Sequence, residues 1–262
     1  MKREKNALTA RMKDSYELRC RRYFPRRTHV IVRVDGRAFH TWTRGLRKPY
    51  DPDFMACMDA AALALCKEVS GCKLGYVQSD EVSLLLTDFD SVETQAWFDN
   101  CQDKIESITA SIATMAFNRH VGWFRQDFVL GINPEGVKAH PMAGKKPDAT
   151  FDSRAFVIPD YVEVENYFID RQKDAIRNSI TMLASAHASP KQLFGKKSAD
   201  RLALVGEAGL EWKAQPVRFR RGAAVWKAED GWVADPCTPE FTKHRDFLRN
   251  SIPRHWQEDE NA

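Results

Sequence analysis

Two short stretches carry the acids whose type and spacing could do chemistry. The first is Asp35-Gly36-Arg37-Ala38-Phe39-His40, which follows the β-branched run 29–34. An acid at a strand end, beside a glycine with no Cβ to keep a ligand away, can hold a metal–phosphate complex. Asp-Gly after a strand is also an ordinary turn signal, so this stretch needs a partner before it means more. The second is Ser79-Asp80-Glu81, set between the runs 73–78 and 82–87. Alone it reads as a solvated hairpin corner. Brought beside Asp35, it makes a three-carboxylate cluster of hard oxygen ligands suited to Mg²⁺. Two such ions, ~3.5–4 Å apart, activate an attacking hydroxyl and stabilise the leaving oxygen of an in-line phosphoryl displacement. Lys48 and Lys104 are the cations placed to neutralise phosphate, each weighed against an ordinary surface role. His40 stands between a phosphate contact and a packed loop residue. No Walker loop and no Ser-His-Asp or Cys-His set occurs.

The elements around these residues say whether they can meet. Residues 6–23 have a helical pattern, and 29–35 alternate as a strand. Asp51-Pro52 is an N-cap followed by proline, and Phe54, Met58, Ala61, Ala62, Leu65 and Val69 space a helix over 52–69. The runs 73–78 and 82–87 predict a β-hairpin with the acids at its apex. A helix over 94–118, a loop over 131–150 and a strand over 151–159 complete the order β-α-β-β-α-β. That order is the split βαβ, ferredoxin-like arrangement, an α+β fold in which strand one can lie beside the hairpin. Beyond it the pattern predicts a long helix over 161–186, two short helices over 189–213, and a strand, glycine turn and strand over 217–227. The acidic tail from Glu258 reads as frayed. The expected division is a catalytic unit over 1–160 and a helical unit over 161–262.

Composition limits the classes open to the chain. At 262 residues it can bury a full core, and no run approaches the ~18 apolar residues of a membrane span. The basic start lacks an apolar signal region, and six cysteines fall in no zinc spacing, so a reduced, cytoplasmic protein is the default. Net charge is only +4, yet residues 1–48 hold fifteen Lys and Arg against four acids. The last third is basic again, through Lys191, Lys196, Lys197, Arg201, Lys213, Arg218, Arg220, Arg221 and Lys227. Two basic regions flanking an acidic middle suit a polyanion partner, against the plainer reading of a solvated surface.

Asp35-Gly36-Arg37-x-Phe39-His40, Tyr76-x-Gln78-Ser79-Asp80-Glu81-x-Ser83, Phe151-Asp152-x-Arg154 and Arg171-Gln172-x-Asp174 fall in one order. In this order they resemble the tRNA-histidine guanylyltransferases and their guanylyltransferase-like relatives, the 3′-to-5′ nucleotide polymerases. Lys48-Pro49 with Asp51, Trp97-Phe98 with Lys104, and Phe219-Arg220-Arg221-Gly222 extend the likeness from about residue 10 to 227. The resemblance implies a polymerase- or cyclase-type palm with a helical, fingers-like C-terminal region that contacts RNA. It implies that Asp35, the Gly36 carbonyl and Asp80 hold two Mg²⁺ ions, with Glu81 in support. It also implies that Asp35, Gly36, Arg37, Ala38, Phe39, His40, Lys48, Asp51, Ser79, Asp80 and Lys104 bind nucleoside triphosphate. ATP and GTP would be substrates, tRNA the partner, and a homo-tetramer the assembly. ATP would activate a 5′-monophosphate end before the 3′-hydroxyl of an incoming nucleotide displaces AMP.

Two positions depart from the family pattern. Where eukaryotic members carry His-Ile-Asn-Asn, this chain reads Ile176-Arg177-Asn178-Ser179, which favours the branch that repairs 5′-truncated tRNA by templated addition. Cys101 stands where an arginine is common. The other functions open to the residues are a nucleotidyl cyclase on the same palm and a non-catalytic RNA-binding protein.

Overall fold

The computed structural model describes residues 7–129 and 141–254. Six strands form one sheet: β1 (His29–Gly36), β2 (Cys72–Gln78), β3 (Glu81–Leu86), β4 (Phe151–Ile158), β5 (Ala223–Ala228) and β6 (Gly231–Asp235), in the order β4-β1-β3-β2-β5-β6. Every pairing is antiparallel. Nine helices of the described residues are α1 (Ala7–Met12), α2 (Phe39–Trp42), α3 (Pro52–Glu68), α4 (Gln102–Val129), α5 (Tyr161–His187), α6 (Pro190–Leu193), α7 (Ser198–Glu207), α8 (Val217–Arg221) and α9 (Arg245–Ser251). The protein is therefore a mixed α+β fold. Among the described residues no helix is long and apolar enough to cross a membrane.

The strand alternation sorts residues onto two faces, because successive side chains point opposite ways. Val30, Val32, Val34, Val82 and Leu84 turn toward α3 and α4, meeting Met58, Leu65, Ile105 and Phe117. Ile31, Leu85, Tyr76 and Leu74 turn the other way and pack on Val164 and Phe168 of α5 and on Phe241 and Leu248. Arg33 and Asp35 share the face of Ile31, so the same rule that builds the core sends them under α5. At the end of β1 an aromatic cluster fixes the chain's exit: Phe39 lies 5.4 Å from Phe117 and 5.0 Å from Phe151, between ring centroids.

Several expected elements differ. The helix expected over 6–23 breaks into α1, a π-turn over Lys13–Glu17 and a 3-10 turn over Leu18–Cys20. None of the three buries a residue, so no packing supports a longer helix there. The helix expected from 94 begins at Gln102, after a turn in which Phe98, Asp99 and Asn100 all have positive φ. The strand expected from 217 is the short helix α8. Its Arg218 is buried against Asp59 of α3, with Nη2 2.6 Å from Oδ1, and Phe219 joins a small core with Leu183 and Val205. The hairpin comes later, as β5 and β6 joined over residues 229–230, and it pairs with β2. Gly222 makes this join possible: at φ +71°, a Cβ there would sit 2.6 Å from the Val77 carbonyl oxygen. The sheet thus draws strands from both sides of residue 160. Part of the loop expected over 131–150 and the acidic tail from Glu258 lie outside the described residues.

Phe117 is fully buried beneath the turn that follows β1. Replacing it with alanine is expected to cost about 3–5 kcal/mol of unfolding free energy. Urea unfolding followed by far-UV circular dichroism checks this, and a loss below 1 kcal/mol would deny the cluster its anchoring role.

Candidate functional site

Register brings the acids together. Asp35 of β1 is opposite Glu81 of β3 on one side and Asp152 of β4 on the other. The Gly36 N–H donates to the Asp80 carbonyl at 3.0 Å, so the hairpin apex is stitched to the end of β1. A Cβ on Gly36 would fall 2.4 Å from the Phe39 ring, so this position is held to glycine by the aromatic beneath it. The chain then turns sharply through Ala38, whose φ of 56° is left-handed, into the short helix α2. Ser79, also at positive φ, donates its hydroxyl to Asp80 Oδ1 at 2.9 Å.

The three acids adjoin, yet they do not make the single three-carboxylate cage expected from their order. Among the described residues no three His, Cys, Asp or Glu side chains converge closely enough to hold a metal alone. Arginines flank two of them, Asp35 and Glu81. Asp35 Oδ2 is 3.1 Å from both Arg33 Nε and Arg154 Nη2. Glu81 Oε2 is 3.3 Å from Arg171 Nη1 of α5 and 3.9 Å from Arg33 Nε. Asp80 has no ion-pair partner among the described residues. Burial, with the Asp35 charge adding to it, raises the Asp80 pKa above the ordinary aspartate range, and the Ser79 hydroxyl opposes this only in part. Burial likewise raises Glu81, again helped by Asp35 and opposed by Arg171 and Arg33. Ser83, next along the face, shares a 2.8 Å hydrogen bond with the Tyr167 hydroxyl, whose pKa burial pushes up to about 12.

Beyond the hairpin apex lies a cleft of about 430 Å³, between the start of α3 and the middle of α5. Phe39, His40, Lys48, Asp51, Ser79 and Asp80 all line it, so six of the expected nucleotide-binding residues meet at one cavity. Asp35, Gly36, Arg37 and Ala38 stand at the adjoining end of β1. Asp51 is already occupied: Oδ1 accepts from the Asp53 and Phe54 amides and Oδ2 from the Arg47 amide and Nε. It is 2% exposed and caps α3. Lys104 is not brought to the cleft. Its ammonium lies over the Phe98 ring, 5.4 Å from the centroid, while Glu106, one half-turn further along α4, accepts from the Ala155 amide. Ala155 pairs with Val32, three residues up β1 from Asp35 and roughly 10 Å away at ~3.3 Å per residue, and Lys104 lies on the far side of it.

Sequence reasoning passed over the counter-ions. Arg33 could have been found, since residues two apart on a strand share a face. Arg154 and Arg171 lie in the quoted motifs, but their pairing with Asp35 and Glu81 needs the fold. Arg218 counts in the basic C-terminal region, yet it is 7% exposed and turned inward to Asp59.

The geometry so far is that of an α+β protein with paired carboxylates at the rim of a cleft large enough for a nucleotide. Comparison with known proteins makes this specific. The Thg1 family model, tRNAHis guanylyltransferase, matches residues 9–159. A bacterial tRNA(His) guanylyltransferase (Thg1)-like protein solved in complex with ATP superposes with a TM-score of 0.82 at 39% identity, over 94% of this chain and 99% of its own. A second structure of a bacterial Thg1-like protein, in complex with GTP, gives 0.73 at 36% identity over the same shares. A probable tRNA(His) guanylyltransferase of Dictyostelium discoideum is 26% identical over 211 residues, 76% of this chain and 75% of that protein. The chain belongs to the tRNAHis guanylyltransferase (Thg1) family, whose members are nucleotidyltransferases.

The raised pKa of Asp80 carries a stability consequence. A carboxyl with a higher pKa folded than unfolded binds its proton more tightly in the native state. Its stabilisation is complete below the unfolded value of 3.8 and is lost as pH rises through the folded value. Asp80→Asn is therefore expected to melt above the parent protein at pH 7.5 without divalent cations, with the gap closing toward pH 4. Equal melting temperatures at pH 7.5 would contradict this.

Proposed function

We propose that the chain is a Mg²⁺-dependent 3′-to-5′ nucleotidyltransferase that adds nucleotides to the 5′ end of tRNA, repairing truncated ends by templated addition. The observation that carries this reading is the Gly36 amide's bond to the Asp80 carbonyl, which sets the end of β1 with Asp35 beside Asp80 in the cleft wall, on a chain 39% identical to a protein solved in complex with ATP. Residues 29–158 follow the split βαβ order with strands arranged 4-1-3-2, which we read as a ferredoxin-like palm. The region from 161 onward, sharing that sheet through β5, is the RNA-contacting part. A homo-tetramer in the cytoplasm is the assembly and location we assign.

The donor set suits a divalent cation. Asp80 is a partly buried carboxylate with no ion-pair partner among the described residues and a neighbouring negative charge, an arrangement that a metal would relieve. Asp35, the Gly36 carbonyl and Asp80 would hold two Mg²⁺ ions. When bound, the ions neutralise triphosphate oxygens and activate the attacking hydroxyl. Arg33 and Arg154 hold Asp35 in place from two sides, and Arg171 holds Glu81 as the support behind it. The backbone from Gly36 to His40 wraps the triphosphate of ATP or GTP. Ser79 and Lys48 add a hydroxyl and a charge from the cleft wall. Asp51 shapes this wall by fixing Arg47 and the start of α3. Lys104 lies on the opposite end of β4, where it can reach only a distant part of the substrate. Ile176-Arg177-Asn178-Ser179, in place of the eukaryotic run, favours templated repair over recognition of one anticodon. Ser179 is tied down by hydrogen bonds from the Trp212 indole and to the Arg220 carbonyl.

Purified protein given Mg²⁺, labelled nucleoside triphosphates and a 5′-triphosphorylated tRNA lacking its first nucleotide is expected to restore the base complementary to the opposing strand. Changing the opposing base should change the nucleotide added. Insertion of G alone would replace repair with the histidine-tRNA reaction. Asp35→Asn and Asp80→Asn should each lower the rate about 10²-fold or more, and variants that keep full activity would refute the assignment.

A further inference from the structure

Phe194 is 90% exposed, more than any other large apolar side chain of the described residues. The segment carrying it is well tied down. Ser189 and Gln192 form a capping box at α6, with the Ser189 amide donating to Gln192 Oε1 at 2.9 Å. Leu193, the preceding residue, packs on the cluster of Leu183, Ala184, Val205 and Phe219. The Lys196 amide donates to the Leu193 carbonyl at 3.2 Å, and the Lys197 amide to Asp200 Oδ2 at 3.0 Å. Gly195, at φ +71°, turns the chain between them. Both flanks are fixed, and the ring is held out in water.

Its chemical setting narrows the partner. Lys191 and Lys197 are exposed and Lys196 is half-buried, and none of the three is ion-paired among the described residues. Aromatic anchors of protein interfaces sit in apolar pockets with the charges at the rim. An isolated ring among unpaired cations fits single-stranded nucleic acid instead, where bases stack on the ring and lysines meet phosphates. Its position fits as well. The cluster that anchors Leu193 also holds Tyr50, Met55 and Phe219, which line the cleft, so the segment carrying the ring is packed through Leu193 on residues of the cleft wall.

We propose that Phe194 is a stacking platform for an unpaired base of the RNA end whose 5′ terminus enters the cleft, with Lys191, Lys196 and Lys197 on the adjoining phosphates. This deepens the function proposed above and rests on it.

The test uses the full chain and a tRNA lacking its 5′ nucleotide, with 2-aminopurine placed in turn at each unpaired position of the 3′ strand. The parent protein should quench the probe at one position. Phe194→Leu and Phe194→Ala should lose that quench and bind the RNA about 5- to 150-fold more weakly. Phe194→Trp should keep both. Each Lys→Gln change should lower the salt dependence of binding by about one ion. Because the ring is exposed, these variants should melt with the parent and bind ATP equally. Unchanged quench and affinity in Phe194→Leu, with the parent extending the RNA, would overturn the platform. A parent protein that neither binds nor extends the RNA would instead overturn the function on which it rests.

Discussion

The structure depends on the antiparallel register of β1 between β3 and β4. It sets Asp35 against Glu81 and lets the Gly36 amide reach the Asp80 carbonyl. A slip of one residue would turn Val34 under α5 and drive Arg33 and Asp35 into the apolar packing of α3 and α4. Both faces of the strand are buried over residues 30–32, so the core holds the register that the site needs. Stability and geometry here are the same constraint.

That geometry leaves charge imperfectly satisfied. Half-buried Asp80 and buried Glu81 lie near Asp35, and burial disfavours their charged forms. Three arginines share the load on Asp35 and Glu81, but Asp80 lines the cleft with the Ser79 hydroxyl and its own backbone amide in place of a cation among the described residues. Under the proposed function, that unrelieved charge is where local stability is given up for ligands already set in place. The aromatic layer of Phe39, Phe117 and Phe151 beneath the turn gives the rigidity that this arrangement needs.

Much of this was legible in the residues. Alternation located β1 and the hairpin, the Asp51-Pro52 cap located α3, and element order alone placed Asp35 beside Asp80. What the pattern could not show were interactions between distant segments. Val217–Arg221 has a strand-like alternation, but Arg218 finds Asp59, 159 positions away, and the helix follows. The amphipathic start expected to be one helix meets no core and breaks up. Lys104 belongs to a quoted motif, yet the direction of α4 along β4 carries it away from the acids. In each case a local preference was overridden, or left unsupported, by tertiary packing.

The pairing of β5 with β2 bears on how the chain is made. β2 is a central strand, buried on both faces over residues 74–78, and among the described residues its outer edge pairs with Ala223–Val225. Gln78 and Ala223 are 145 positions apart. At about 5–20 residues per second, synthesis leaves roughly 7–30 s in which β2 has been made and its cover has not. Through that interval an apolar strand presents unpaired N–H and C=O groups, a template for joining other chains. A nascent chain halted before residue 223 would hold the whole set of paired acids and still be the form most prone to aggregate.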